Sequence, residues 1–391
     1  MTASSEDMER LQQRPGSSKR IWIVVAAVAV VVALVGVAVF AGWFSPKPKI
    51  SILGAGATFP CPLITKWTSD YANLSLSYAG KPSQVVVSYN CVGSGAGITA
   101  ITKKTVDFAG SDAPLKASER AAAPGLLHIP ETVGAVTLAY NVQAVDSGLK
   151  LTGETVAEIF RGKVQFWDDA NISRDNTGVS LPHRSIQTVH RQDSSGTTFV
   201  FTSYLHLADQ WWNTSLVGKS ISWPATSPTA IEGLGNSGVA GKIQTTPDSI
   251  GYVELAYTVQ NNMKVAQLKN HDGQWVAPSL ATTAAAAASL TAPPSPAGDW
   301  NNVSILNASG ANSYPIASFT YLLVYNELNA LGPTMDQVKA QALVDFLWWA
   351  IHPGQDRSEA LVYPKLPAPI VTLDEGAIRS ITFNGQTLNP T

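Results

Sequence analysis

The chain has 391 residues, 45% of them hydrophobic and 14% charged, enough to bury a substantial core and more than one lobe usually needs. A net charge of -2 and an isoelectric point near 6.3 exclude the basic footprint of a nucleic-acid binder and any long-range pull on an anion. Anion binding, if present, has to come from local geometry.

In chain order, residues 1–20 are polar and read as a short cytoplasmic tail without the apolar content to fold. Ile21 to Phe44 then runs 24 positions without a charge, where about 20 apolar residues cross a bilayer. A cleaved signal peptide is the alternative, but its apolar region is about 7 to 15 residues long and Val39-Phe40-Ala41 is a poor cleavage site. The preferred reading is a retained signal anchor. Arg10, Arg14, Lys19 and Arg20 precede the span and only Lys47 and Lys49 follow it, which puts the N-terminus in the cytoplasm. Everything after the linker 45–49 is then extracytoplasmic. There Cys61 and Cys91 can form a disulfide or stay as two small buried thiols. No further Cys or His lies at metal-ligand spacing, so no metal is expected.

Apolar runs alternate with helix-like stretches from residue 49 onward, the pattern of an α/β fold. Strands are predicted at 49–56, 83–90, 106–111 and 134–141. Helices are predicted near 60–73, 95–103, 116–123, 153–161 and 197–206, and the alanine-rich stretch 280–290 reads as helix or surface loop.

Three times a strand runs into a Gly/Ser/Thr turn and then a helix. The first passes through Gly54, Gly56, Thr58 and Phe59 to Pro60, and proline suits a first helical turn. In the second, Ser94 occupies an N-cap position. The third opens with Ser195, Gly196 and Thr197. Each start presents unpaired backbone N–H groups and hydroxyls, so three converging starts would hold a tetrahedral oxyanion without net charge. Arg191, four residues before Ser195, could clamp two oxygens of the same anion, with Asp193 orienting its guanidinium.

Asp112 narrows the choice of anion. Taken alone it is an ordinary helix cap ahead of Pro114. Beside an anion it would repel, unless that anion carries a proton to donate: phosphate near neutral pH does, and sulfate does not.

Seven segments, GAGATFPCPL (54–63), GSGAGI (93–98), DFAGSDAPL (107–115), IFRGKVQFWDD (159–169), VHRQDSSGTTFVFTSYL (189–205), GLGNSGVA (233–240) and SIGYVELAY (249–257), together resemble the phosphate-binding proteins of high-affinity phosphate ABC transporters. They occur in that family's order, and the resemblance covers nearly all of 50–391, most weakly at 258–391. It implies a two-lobed periplasmic-binding-protein fold, with lobe I from 50–139 plus 258–391, lobe II from 140–257, and the ligand in the cleft between them. It also implies a phosphate site made of Thr58, the backbone N–H of Phe59, Ser94, Asp112, Arg191, Ser195, Gly196 and Thr197, with Asp193 bracing Arg191. The chain departs from the family at Cys61 and Cys91, where small residues are usual, at Gly95, where a second Ser is common, and at His190, where a basic residue is frequent. A Cys61–Cys91 bridge would tie two ligand loops together.

The expected function is capture of inorganic phosphate and its delivery to ABC permease subunits, by a monomer without cofactor, held at the membrane through 21–44. A binding protein for sulfate or molybdate is the alternative within the fold. A secreted phosphohydrolase is the enzymatic alternative, but no H-E-x-x-H or G-x-S-x-G motif is present and Asn213 stands where a phosphate loop ending in Gly218-Lys219-Ser220 needs glycine.

Overall fold

The computed structural model describes residues 23–24, 26–33, 47–224, 231–290 and 292–391. Residues 23–24 and 26–33 are helical, while the tail 1–20 and most of the expected span 21–44 lie outside the described residues. Among the described residues no helix is long and apolar enough to cross a membrane. All elements below belong to the compact body formed by 49–391.

Ten strands form one mixed sheet: β1 (Lys49–Gly56), β2 (Leu76–Tyr78), β3 (Lys81–Cys91), β4 (Phe108–Ser111), β5 (Leu126–Asn141), β6 (Gln187–Arg191), β7 (Ile231–Gly233), β8 (Ser249–Glu254), β9 (Lys264–Val265) and β10 (Ala317–Tyr325). Their spatial order is β2-β3-β1-β4-β10-β5-β8-β6-β7, with β9 also paired to β5. β1 is parallel to both β3 and β4, and β6 is parallel to both β7 and β8. Parallel neighbours require crossovers, usually helical. Helix α1 (Cys61–Tyr71) follows β1, α2 (Ser94–Thr102) joins β3 to β4, α3 (Gly196–Ala208) follows β6, and α4 (Gly235–Thr245) joins β7 to β8.

The longest strand, β5, links the two parallel sets. Its residues 126–135 pair antiparallel with β10, and from Val136 onward it pairs antiparallel with β8. All of its residues but the last are buried. Pro130 removes a ladder donor, and the register shifts at this point, Thr132 facing Thr320 and Pro130 facing Tyr321, so that Glu131 is left without an opposite number. Proline inside a sheet is tolerated at such a bulge, which also re-aims the extra side chain.

The helices lock onto this sheet through apolar faces. In α1 the buried residues are Leu63, Ile64, Trp67 and Tyr71, a stripe at helical spacing. Trp67 is fully buried, and its indole N–H donates to the Gly354 carbonyl at 2.8 Å. Truncating such a residue typically costs about 3–5 kcal/mol. Trp167, Trp212 and Trp300 are buried just as fully, so these tryptophans serve packing.

Candidate functional site

β1, β3, β4 and β6 all point their carboxyl ends at one place, the edge where parallel sheets usually bind ligands. The next few residues of each strand line it: Thr58 and Phe59 after β1, Ser94 after β3, Asp112 after β4, and Asp193 to Thr197 after β6. Thr58, Phe59, Ser94, Asp112, Arg191, Ser195 and Thr197 are all buried. The residues predicted to form the phosphate site therefore gather in this one cluster.

The two sides of the cluster touch directly. The Gly196 N–H donates to Ser94 Oγ at 3.1 Å, the Gly95 N–H to the Ser194 carbonyl at 3.0 Å, and Thr197 Oγ1 to Asp112 Oδ2 at 3.5 Å. A Cβ on Gly196 would lie 2.4 Å from Ser94 Oγ and 2.6 Å from Asp112 Oδ2, so no larger residue fits there without opening the cluster.

Ser94 differs from its expected capping role. Gly93 is the N-cap of α2, without a side-chain cap bond. Ser94 instead accepts from the backbone N–H groups of Asp112 (3.2 Å) and Gly196 at its Oγ, bridging the two sides. Ser195 does cap α3, its Oγ accepting from the Thr198 N–H at 3.1 Å. Asp112 caps nothing: the next helix begins at Ala117 with Lys116 as its cap.

Arg191 has a nearly inaccessible side chain, about 1% exposed. Its Nε donates to Asp193 Oδ1 at 2.8 Å, its Nη2 to Asp193 Oδ2, and its Nη1 to Thr197 Oγ1 at 3.2 Å. Three of its five N–H groups are thus engaged, which leaves one on Nη1 and one on Nη2. Burial pushes the Asp193 carboxyl up, but the bonds and charge of Arg191 and the Gly235 N–H, 3.0 Å away, outweigh it and hold Asp193 below the usual carboxylate range. Asp112 behaves oppositely. Burial raises it to about 7, against hydrogen bonds from Thr320 and Thr197 and the nearby charge of Arg191. His190 contributes no charge: burial depresses it to about 4, and its ring stacks on Trp223 with centroids 4.8 Å apart. Lys219 is likewise committed elsewhere, its Nζ 2.7 Å from Glu119.

Several members of the cluster escaped the sequence analysis. Asn236, fully buried in the first turn of α4, donates from its backbone N–H (3.2 Å) and Nδ2 (3.0 Å) to Thr58 Oγ1, and from Nδ2 to Thr197 Oγ1 at 3.2 Å. Its Oδ1 accepts from the Glu254 N–H at 2.9 Å. The available signal was its place directly after Gly235, in a fourth Gly-rich helix start. Tyr252 Oη receives the Arg191 N–H at 3.0 Å and pairs with Thr198 Oγ1 at 2.7 Å. Tyr363 Oη lies 2.8 Å from the Phe59 carbonyl and 2.9 Å from Glu254 Oε2, donating its one hydrogen to one of them, and Tyr257 donates to the Thr58 carbonyl at 2.6 Å. Nothing in the spacing of these residues reveals such contacts.

Cys61 and Cys91 form a disulfide, their Cα atoms 6.1 Å apart. It joins the start of α1 to the end of β3, the two segments that carry Phe59 and Ser94. The bridge also forms part of the wall of a cavity of about 580 Å³ that Asp193, Gly235 and Tyr257 line from the other side.

Known proteins resemble the chain over most of its length. Residues 45–351 match the family model of the PBP superfamily domain. The "Phosphate-binding protein PstS" of Xylella fastidiosa is 40% identical over 330 residues, covering 83% of each chain. A protein of the same name from Methanocaldococcus jannaschii is 34% identical over 384 residues, covering 93% of this chain and 96% of its own. Among solved structures, a high affinity periplasmic phosphate-binding protein (PfluDING) bound with phosphate superposes with a TM-score of 0.63 at 23% identity, covering 83% of this chain and 93% of the other. That last likeness concerns the fold.

Proposed function

The chain belongs to the PstS family of phosphate-binding proteins within the PBP superfamily, and on that premise we propose that it captures inorganic phosphate outside the cytoplasm and passes it to the permease of a phosphate ABC transporter. It is a binding protein and not an enzyme.

The observation that carries the reading to this chain's own residues is the buried Asp112 among donors. Backbone N–H groups at the starts of α2, α3 and α4, the hydroxyls of Thr58, Ser94 and Thr197, and the free edge of Arg191 suit any tetrahedral oxyanion. A carboxylate among them suits one that still carries a proton. We assign ligand contact to Thr58, the Phe59 N–H, Ser94, Asp112, Arg191, Ser195, Gly196 and Thr197, with Asp193 and Asn236 holding them in place. The partner change along β5 supports two lobes that hinge there, so that ligand capture brings the Asp112 side and the Arg191 side together.

The uncharged stretch 21–44 supports a single N-terminal anchor with residues 1–20 in the cytoplasm. Such a chain stays with the membrane on alkaline carbonate washing and leaves it only in detergent; release by carbonate overturns the anchor. For the ligand, calorimetric titration of the purified protein with phosphate and sulfate is decisive. Tight phosphate and weak sulfate binding is expected, and tight sulfate binding, or none of phosphate, overturns the assignment.

A further inference from the structure

A second carboxyl group lies behind Asp112. Glu131, the unpaired residue of the β5 bulge, is fully buried. Between it and Asp112 stands Thr320 of β10, whose Oγ1 is 3.0 Å from Asp112 Oδ1 and 3.2 Å from Glu131 Oε1. A hydroxyl has one hydrogen and can donate it to only one of these oxygens. Were both carboxyls ionised, the other would face the Thr320 oxygen lone pair to lone pair in a buried setting, where an unpaired charged acceptor is costly. One of the two therefore carries a proton and donates it to Thr320.

The surroundings decide which one. Arg191 acts on Asp112, and Thr197 joins the two by accepting from Arg191 and donating to Asp112. The titratable groups that act on Glu131 are Asp112 and the phenol of Tyr89. Glu254, Tyr257, Tyr321, Tyr363, Tyr89 and Asp193 also bear on Asp112, and none of them brings a positive charge to Glu131. Among the described residues Glu131 Oε2 has no hydrogen-bond partner, a state a neutral acid tolerates far better than a carboxylate.

We propose that Glu131 is a positioning residue: as the neutral acid it donates to Thr320, Thr320 donates to Asp112 Oδ1, and Asp112 is kept ionised, with the Oδ2 lone pair that Thr197 does not use left to accept the proton of the bound anion. The relay rests on the assignment of Asp112 as acceptor for phosphate and deepens it, because a fixed chain of donors pointing one way makes Asp112 an acceptor and never a donor. Burial, which raises Asp112 to about 7 and Glu131 to about 8, places the two groups in the same order.

The relay fails at alkaline pH. Once Glu131 ionises above about 8, it competes for the Thr320 hydrogen and adds a buried negative charge next to the ligand. A bound anion favours the protonated form of Glu131, so phosphate binding takes up a proton there and affinity falls by up to about tenfold per pH unit.

The test is calorimetric titration of phosphate and sulfate from pH 6 to 9.5 into the wild-type chain and the Asp112→Asn, Glu131→Gln, Thr320→Val and Thr320→Ser variants. Between pH 8 and 9 wild-type affinity for phosphate should fall about tenfold more than that of Glu131→Gln, whose amide donates at every pH. Thr320→Val should shrink the phosphate-to-sulfate preference about tenfold, and Thr320→Ser should restore it to within about threefold. An unchanged alkaline slope in Glu131→Gln, or an unchanged preference in a folded Thr320→Val, overturns the relay. If Thr320→Val does not fold, the Glu131→Gln slope decides alone. A wild-type chain that does not bind phosphate, or an Asp112→Asn variant with unaltered preference, instead overturns the phosphate assignment itself.

Discussion

The segments that leave β4 and β6 meet face to face with opposite electrostatics. Around Asp112 the buried titratable groups are acids, Glu131 and Glu254, which burial pushes upward to about 8 and well above the usual range respectively. Around Arg191 a full guanidinium is paired with Asp193, which stays ionised despite its burial. One side thus supplies acceptors whose protonation matters, and the other supplies donors that never change. The site can hold an anion selectively without a surplus of positive charge because these two tasks are divided between separate strand ends of a chain whose overall charge is -2.

The largest loss of affinity is expected on the donor side. Arg191→Met removes two ligand-facing donors and leaves the half-buried Asp193 without its cation, so phosphate affinity should drop at least about 100-fold, as expected from charge-assisted bonds of about 1.5–3 kcal/mol each. Calorimetry measures it, and a loss below tenfold would mean that backbone N–H groups alone hold the anion. Opening the disulfide acts on the acceptor side. Replacing Cys61 and Cys91 with serine should cost about 3–4 kcal/mol of stability for a loop of this length, read from chemical denaturation with and without reductant.

Asp112→Asn sharpens the comparison. It should leave an anion site but narrow the phosphate-to-sulfate preference about tenfold, since an amide can turn a donor toward sulfate. Competition titration reads this out. The smallest effect is expected at Asn236→Ala, which removes the side-chain contacts to Thr58 and Thr197 that join the two sides. At about 0.5 kcal/mol net for each of the two bonds, affinity should fall roughly fivefold, with the preference between anions unchanged.

Much of the scaffold was legible where local rules act alone. The predicted strand at 49–56 coincides with β1, and the helices expected at 153–161 and 197–206 occur at 153–160 and 196–208. β5, by contrast, begins eight residues before the predicted 134, because His128, Pro130 and Glu131 interrupt the apolar pattern of a strand that is nonetheless buried on both faces. Burial there comes from β10 and the helices around it, so neither alternation nor a continuous apolar run was available to read. The same interruption hid Glu131, the residue on which the inferred relay turns.

Order along the chain and residue chemistry were enough to nominate Thr58, Ser94, Asp112, Arg191 and the Ser195–Thr197 turn, because each lies at a strand end followed by a helix, and a helix start offers donors wherever it occurs. Only the tertiary structure decided that Ser94 bridges Asp112 to Gly196 instead of capping its own helix, that Asn236 and Tyr252 complete the donor side, and that Thr320 stands between two carboxyls. Those contacts join residues from 18 to more than 200 positions apart. A hydrogen bond depends on distances of about 3 Å, and at such separations only the folded sheet fixes them.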